Sequence, residues 1–179
     1  MGVGYLTGQG GGGSNIKSIQ RGSVTPWNNT TQTIANITIN VVDISKSILL
    51  IRPNYRGTYG FDDVTSGLLT TSTNLQLIRS SKLNAVASVI YWEVIEFNNV
   101  KSLQKGYVNT AGGLTARNET IPEVNVEKST IFTSQINSLV NSTTHKQSIC
   151  GADLTTPTNL ALYSDRTDTT VYWQVIEFK

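Results

Sequence analysis

The chain has 179 residues, 15% of them charged, a formal net charge of +2, one Cys and one His. So even a balance, with no cluster of Lys or Arg, excludes the electrostatic footprint of a nucleic-acid or anionic-membrane binder. A single Cys excludes an intrachain disulfide, and no apolar run approaches the ~18 residues that a spanning helix needs.

Residues 1–15 form a Gly-rich arm that ends in Gly10-Gly-Gly-Gly-Ser14. Its start lacks the basic and apolar regions of a secretory signal. The Gly run lacks a Gly-Lys-Ser/Thr ending and leads into a strand, so it is not a phosphate-binding loop. Glycine here gives backbone freedom and no side chain to pack, as in a linker.

Five strands are expected next, near 17–24, 33–42, 46–52, 74–79 and 86–97. Ile37, Ile39 and Val41 alternate with Thr38 and Asn40, the pattern of a half-buried strand. Ile48-Leu-Leu-Ile51 is continuously apolar and predicts a central strand. Gly22, Arg52-Pro53-Asn54 and Ser80-Ser-Lys82 read as turn signals. No segment carries a 3.6-residue period.

The same order then recurs. Lys17-Ser-Ile-Gln-Arg-Gly22 matches Lys101-Ser-Leu-Gln-Lys-Gly106, Asn74-Leu-Gln-Leu77 matches Asn159-Leu-Ala-Leu162, and Tyr91-Trp-Glu-Val-Ile-Glu-Phe97 matches Tyr172-Trp-Gln-Val-Ile-Glu-Phe178. The offset stays between 81 and 85 residues, as a tandem duplication with small loop insertions requires. The expected organisation is an arm (1–15), a first β-domain (16–98) and a second (99–179). The fold class is all-β, with two duplicated sandwich-like domains or small barrels.

In the closing heptapeptide six of seven positions are identical, and Glu93 is exchanged for Gln174. Side chains alternate across a strand, so Ile90, Trp92 and Val94, like Val171, Trp173 and Val175, define an inward face. The other face, with Tyr91, Glu93, Ile95 and Phe97, is mixed. It is half exposed or covered from outside the domain, and another subunit is the expected cover.

The repeats differ most after their third strands, where the first has a loop containing Tyr55, Arg56, Tyr59 and Phe61. Aromatics and Arg among Gly and Asn have the residue mix of interfaces and paratopes, so these four are the candidate binding residues. Sugar stacking on Trp27, Tyr55 or Tyr59 is a second use of the same chemistry. A Cys150–His145 nucleophile pair has no third residue to orient it, and zinc needs more Cys/His ligands than the chain has. Asp62-Asp63 and Asp165/Asp168 lack the spacing of a calcium loop and read as turn residues. Glu96 and Glu177 are copies of one structural position, not a catalytic pair. No catalytic residue, metal or cofactor is expected.

The Gly-rich arm leading into Ile16-Lys-Ser-Ile-Gln-Arg-Gly22, the later Lys46-Ser-Ile-Leu49 strand and the closing Trp92-Glu-Val-Ile-Glu-Phe97 resemble small virion proteins of tailed bacteriophages. The resemblance covers the strand skeleton of both repeats. It implies a non-enzymatic structural subunit of the tail, tail fibre, baseplate or capsid decoration. The implied setting is a virion, with other virion proteins as partners, no nucleic acid or membrane, and a homo-oligomer such as a trimer. The alternative is a receptor- or carbohydrate-binding module that uses the loop after the third strand.

Overall fold

The computed structural model describes residues 15–27, 32–54, 65–79, 89–110, 116–137, 150–164 and 169–179. The first half holds six strands: β1 (Ile16–Val24), β2 (Ile34–Thr38), β3 (Ser47–Asn54), β4 (Thr65–Thr71), β5 (Asn74–Arg79) and β6 (Val89–Phe97). The second half repeats them as β7 (Val100–Asn109), β8 (Ala116–Thr120), β9 (Ser129–Asn137), β10 (Cys150–Thr156), β11 (Asn159–Ser164) and β12 (Thr169–Phe178), with one 3-10 turn at Val126–Lys128. All pairings are antiparallel. Each half is two three-stranded sheets, ordered β1-β6-β3 and β2-β5-β4 in the first, β7-β12-β9 and β10-β11-β8 in the second. The fold is all-β, and each half is a small sandwich.

The inward faces of the closing strands form the cores. Trp92, Ile90 and Val94 pack with Leu49, Leu75 and Leu77 in the first half. Trp173, Val171 and Val175 pack with Leu154, Leu160 and Leu162 in the second. Gly22 is not a turn residue. It sits inside β1 directly opposite Trp92, as Gly106 sits opposite Trp173. A Cβ on either glycine would lie 2.4 Å from an indole carbon, so only a residue without a side chain lets the ring lie across the neighbouring strand.

The core face of each closing strand ends in a buried carboxylate. Glu96 Oε1 accepts from Lys17 Nζ at 2.8 Å and from the Asp43 amide at 3.2 Å, and Oε2 accepts from the Ser18 hydroxyl at 3.2 Å. Glu177 repeats this with Lys101 Nζ at 2.8 Å, the Asn125 amide at 3.0 Å and the Ser102 hydroxyl at 3.2 Å. A buried carboxylate is tolerated only when its lone pairs are filled in this way. The Lys-Ser of the opening strand and the Glu of the closing strand are therefore one structural unit, built twice.

Four further expectations need correction. Among the described residues each half has six strands rather than five; β4 and its copy β10 are the strand that the expected set lacks. The second strand stops at Thr38 rather than near 42. Beyond it the chain turns to the carbonyls of Ser72 and Thr73, which accept from the Val42 and Ile39 amides at 2.9 Å. Val41 is consequently 75% exposed while Ile39 and Val42 are buried. The apolar strand β3 is not central but the edge of its sheet, and β6 is central. Pro53 belongs to β3 opposite Ile90 rather than to a turn, and an edge strand is where a sheet accepts proline.

Gln20 joins β1 to the segment after β2. Its Nε2 donates to the Asn40 carbonyl at 3.0 Å and its Oε1 accepts from the Asn40 amide at 2.8 Å. In the second half Gln104 donates to the Pro122 carbonyl at 2.9 Å. Proline has no N–H to give back, and Gln104 Oε1 is buried without a protein donor.

Candidate functional site

The mixed faces of the closing strands are where the two halves meet. Ile48, Phe97, Val100 and Ile176 form a third apolar cluster, against which Leu50, Ile95, Leu103, Phe132 and Phe178 pack. Phe97 and Phe178, equivalent residues of the two repeats, stack edge-on with centroids 5.3 Å apart. The cover on this face is the sister repeat of the same chain, which corrects the expectation of another subunit for these residues. It also explains β3. Leu49 and Ile51 pack in the sandwich core while Ile48 and Leu50 pack in the inter-repeat cluster. A strand can be apolar on both faces at a sheet edge if both faces are covered.

The polar contacts make the docking one-directional. Gln174, on the outer face of β12, lies across the edge of β3. Its Oε1 accepts from the Leu49 amide at 3.1 Å and its Nε2 donates to the Leu49 carbonyl at 2.9 Å. Beside it on β7, Lys105 Nζ donates to the carbonyls of Ile44 at 2.9 Å and Ser47 at 3.1 Å. On β9, the Ser134 hydroxyl meets that of Ser66 at 2.7 Å. The outer sheet of the second half thus grips the β3–β4 side of the first.

The positions equivalent to Lys105, Gln174 and Ser134 are Arg21, Glu93 and Arg52, and they satisfy one another instead. Arg21 Nε and Nη2 donate to Glu93 at 3.0 and 3.2 Å, and Arg52 Nη1 donates at 3.3 Å. The Glu93-to-Gln174 exchange is therefore isosteric but not equivalent. A carboxylate only accepts, which suits two guanidinium groups; an amide both donates and accepts, which suits a strand edge.

Electrostatics follow from these contacts. The Arg21 guanidinium holds the Glu93 carboxyl below its ordinary value against the opposing effect of burial, with Arg52 assisting. Hydrogen bonds from Lys101 and the Asn125 amide lower Glu177 similarly. Lys105 is exposed as a residue, but its ammonium ends between two carbonyls at the seam, and burial there pulls its pKa down to about 8.

A carboxylate lowered by folding contributes stability above its unfolded value, here 4.5, and loses it as pH falls through the folded value. The urea midpoint should accordingly drop as pH is lowered from 4.5 to 2.5. The Glu177→Gln variant should show a shallower drop; equal slopes in the two proteins would remove Glu177 from this account.

The other candidates lie as follows. Tyr55, Arg56, Tyr59 and Phe61 fall outside the described residues, as do His145, Asp62, Asp63, Asp165 and Asp168. Trp27 is 2% exposed, sits in the first core and carries Arg79 4.6 Å above its ring, so it offers no face to a sugar. Cys150 opens β10, packs against the second core and donates to Thr133 Oγ1 at 3.4 Å. Among the described residues no group of three or more His, Cys, Asp or Glu is placed to hold a metal ion, and no helix is long and apolar enough to cross a membrane. Sequence reasoning missed Gln174, Lys105 and Ser134 as docking residues. Their signal was present as the departures of the second repeat from the first at otherwise matching positions.

No protein-family model matches the chain, and no curated protein or solved structure matches it either.

Proposed function

We propose that this chain is a non-enzymatic structural subunit of a tailed-phage virion, assembling as a homo-oligomer through its N-terminal arm and the faces of its β-domains. The observation that carries the reading is the way the duplicated unit is used. Two copies of one scaffold share their tryptophan-on-glycine and Lys-Ser-to-Glu contacts, and at three positions the second copy carries residues that grip its sister where the first carries an ion-paired group. A sandwich mated face to edge through backbone-directed contacts is a building block, and heterologous mating of that kind suits ring or fibre assemblies. The resemblance of the arm and of the opening and closing strands to small tailed-phage virion proteins supplies the setting.

The arm provides the test. Asn15 anchors the junction, its carbonyl accepting from the Asn98 amide at 2.8 Å and its side chain from Asn99 at 3.1 Å. Deletion of residues 1–14 leaves that anchor and both sandwiches in place. The truncated protein is expected to keep the full-length melting temperature and to fail to enter particles. Normal incorporation of the truncated chain would overturn the assembly role of the arm.

A further inference from the structure

The seam within the chain is heterologous: the outer face of the second half meets the β3–β4 side of the first. A contact of that kind uses one surface of each half and leaves the counterpart of each over. Left over are the outer-face positions Arg21, Glu93 and Arg52 of the first half and the β9–β10 side of the second. Among the described residues, none of those three has a hydrogen bond or ion pair with the second half; both arginines turn to Glu93.

Both leftover surfaces depart from the pair already in use, and the departures match. On the face, two guanidinium groups share one carboxylate, which leaves a positive charge in excess, and both are partly exposed. On the β9–β10 side, Glu127, Gly151 and Asp153 stand where the first half has Ser45, Ser66 and Leu68. Glu127 and Asp153 are exposed and have no ion-pair partner among the described residues, and with Lys128 beside them that side is left net negative. Opposite charge across a contact steers encounter and fixes register.

The places correspond as well as the charges. Lys105 holds the carbonyls that flank Ser45, those of Ile44 and Ser47; a repeat of the seam puts Arg21 at those of Val126 and Ser129, beside Glu127. Ser134 meets Ser66; a repeat puts Arg52 over Gly151, with Asp153 on the same strand face. A Cβ at Gly151 would come no nearer than 3.9 Å to the rest of the chain, so packing within the chain does not require glycine there. It does give an arginine the room that two serines do not need. We propose that a second copy docks its Arg21–Arg52 face onto the β9–β10 side of this chain, joining copies head to tail through an ionic counterpart of the seam between the repeats; this rests on the homo-oligomer reading above and names its surfaces.

Cysteine pairing in the full chain tests this. In a Cys150→Ser background, which keeps a hydroxyl for Thr133, Arg52→Cys is combined with Gly151→Cys or, as control, with Thr70→Cys on β4, which is exposed. Mild oxidation should link the first pair into dimers and larger species, about tenfold above the control, because docking raises the local thiol concentration. Ser66→Cys with Ser134→Cys, whose hydroxyls lie 2.7 Å apart, should link within one chain only. Charge reversal by Glu127→Lys with Asp153→Lys, both at exposed positions, should keep the parent's melting temperature and abolish the oligomer seen by light scattering. Equal yields from Gly151→Cys and Thr70→Cys, or an oligomer that survives charge reversal, overturn the proposal and leave the assembly reading. A parent chain that is monomeric at every concentration removes both.

Discussion

Alanine at Trp92 or at Trp173 should destabilise the half that carries it by about 3–5 kcal/mol, the range for deleting a large aromatic from a packed core. Each indole lies against a glycine of the adjacent strand and against the largest apolar residues of its core. The usual relief after truncation is inward movement of neighbouring side chains, and here one wall of the cavity is a strand position that has none. The cavity term therefore adds to the lost transfer energy instead of being relaxed away. A loss of this size is a large fraction of the stability of a small domain. Because the tryptophans lie in different cores, the two single losses should add in the double variant within about 0.5 kcal/mol, unless the seam couples the halves. Urea titrations followed by far-ultraviolet circular dichroism measure all three. A loss below about 1 kcal/mol for either single variant would show that the inward face has been misassigned.

How much of this was legible in the sequence depends on which physical signal each element carries. Trp92, Trp173 and their alternating neighbours announced both cores, because burial on one face of a strand leaves a period of two. The pairing of Lys17 with Glu96, and of Lys101 with Glu177, was implicit in the repetition of both motifs in the same order in the two halves. β4 and β10 were hidden because their sequences, Thr-Ser-Gly-Leu-Leu-Thr-Thr and Cys-Gly-Ala-Asp-Leu-Thr-Thr, carry a glycine in the strand and little alternation. Gly67 sits in a tight place, where a Cβ would lie 3.0 Å from the Gln76 carbonyl oxygen and 3.1 Å from the Leu49 and Ile51 side chains. The misplacement of β3 has a different origin. A continuous apolar run reports that both faces are covered, but not whether the cover is a sheet neighbour's layer or a second domain. The partner of the mixed face was illegible for the same reason. Alternation states that a face is wet or dry and does not name what dries it. In the candidate loop, Tyr55, Arg56, Tyr59 and Phe61 rest on composition alone.

The seam between the halves yields the second large effect. In Gln174→Glu the new carboxylate still accepts from the Leu49 amide, but it has no hydrogen for the Leu49 carbonyl 2.9 Å away. It also stands directly across the strand pair from Lys105. The first half displays what such a pair does when left to itself, with Arg21 and Glu93 turned onto each other. Lys105 should follow, leaving the carbonyls of Ile44 and Ser47. The substitution would therefore convert a surface built to grip a strand edge into one that satisfies itself. Losing these bonds, at about 1 kcal/mol each with a further penalty for a carbonyl left unpaired at the seam, costs about 2–4 kcal/mol. The loss falls on the coupling between halves rather than on either core, so denaturation should separate into two transitions where the parent should show one. Glu93→Gln is the matched control. Glu93 is buried but its arginine partners are 43% and 64% exposed. Both guanidinium groups therefore keep their water and can still donate to the amide oxygen, so the cost should stay at about 1 kcal/mol with a single transition. If Gln174→Glu unfolds in one transition and loses less than about 0.5 kcal/mol, the amide does not hold the repeats together and the apolar cluster around Phe97 and Phe178 does so alone.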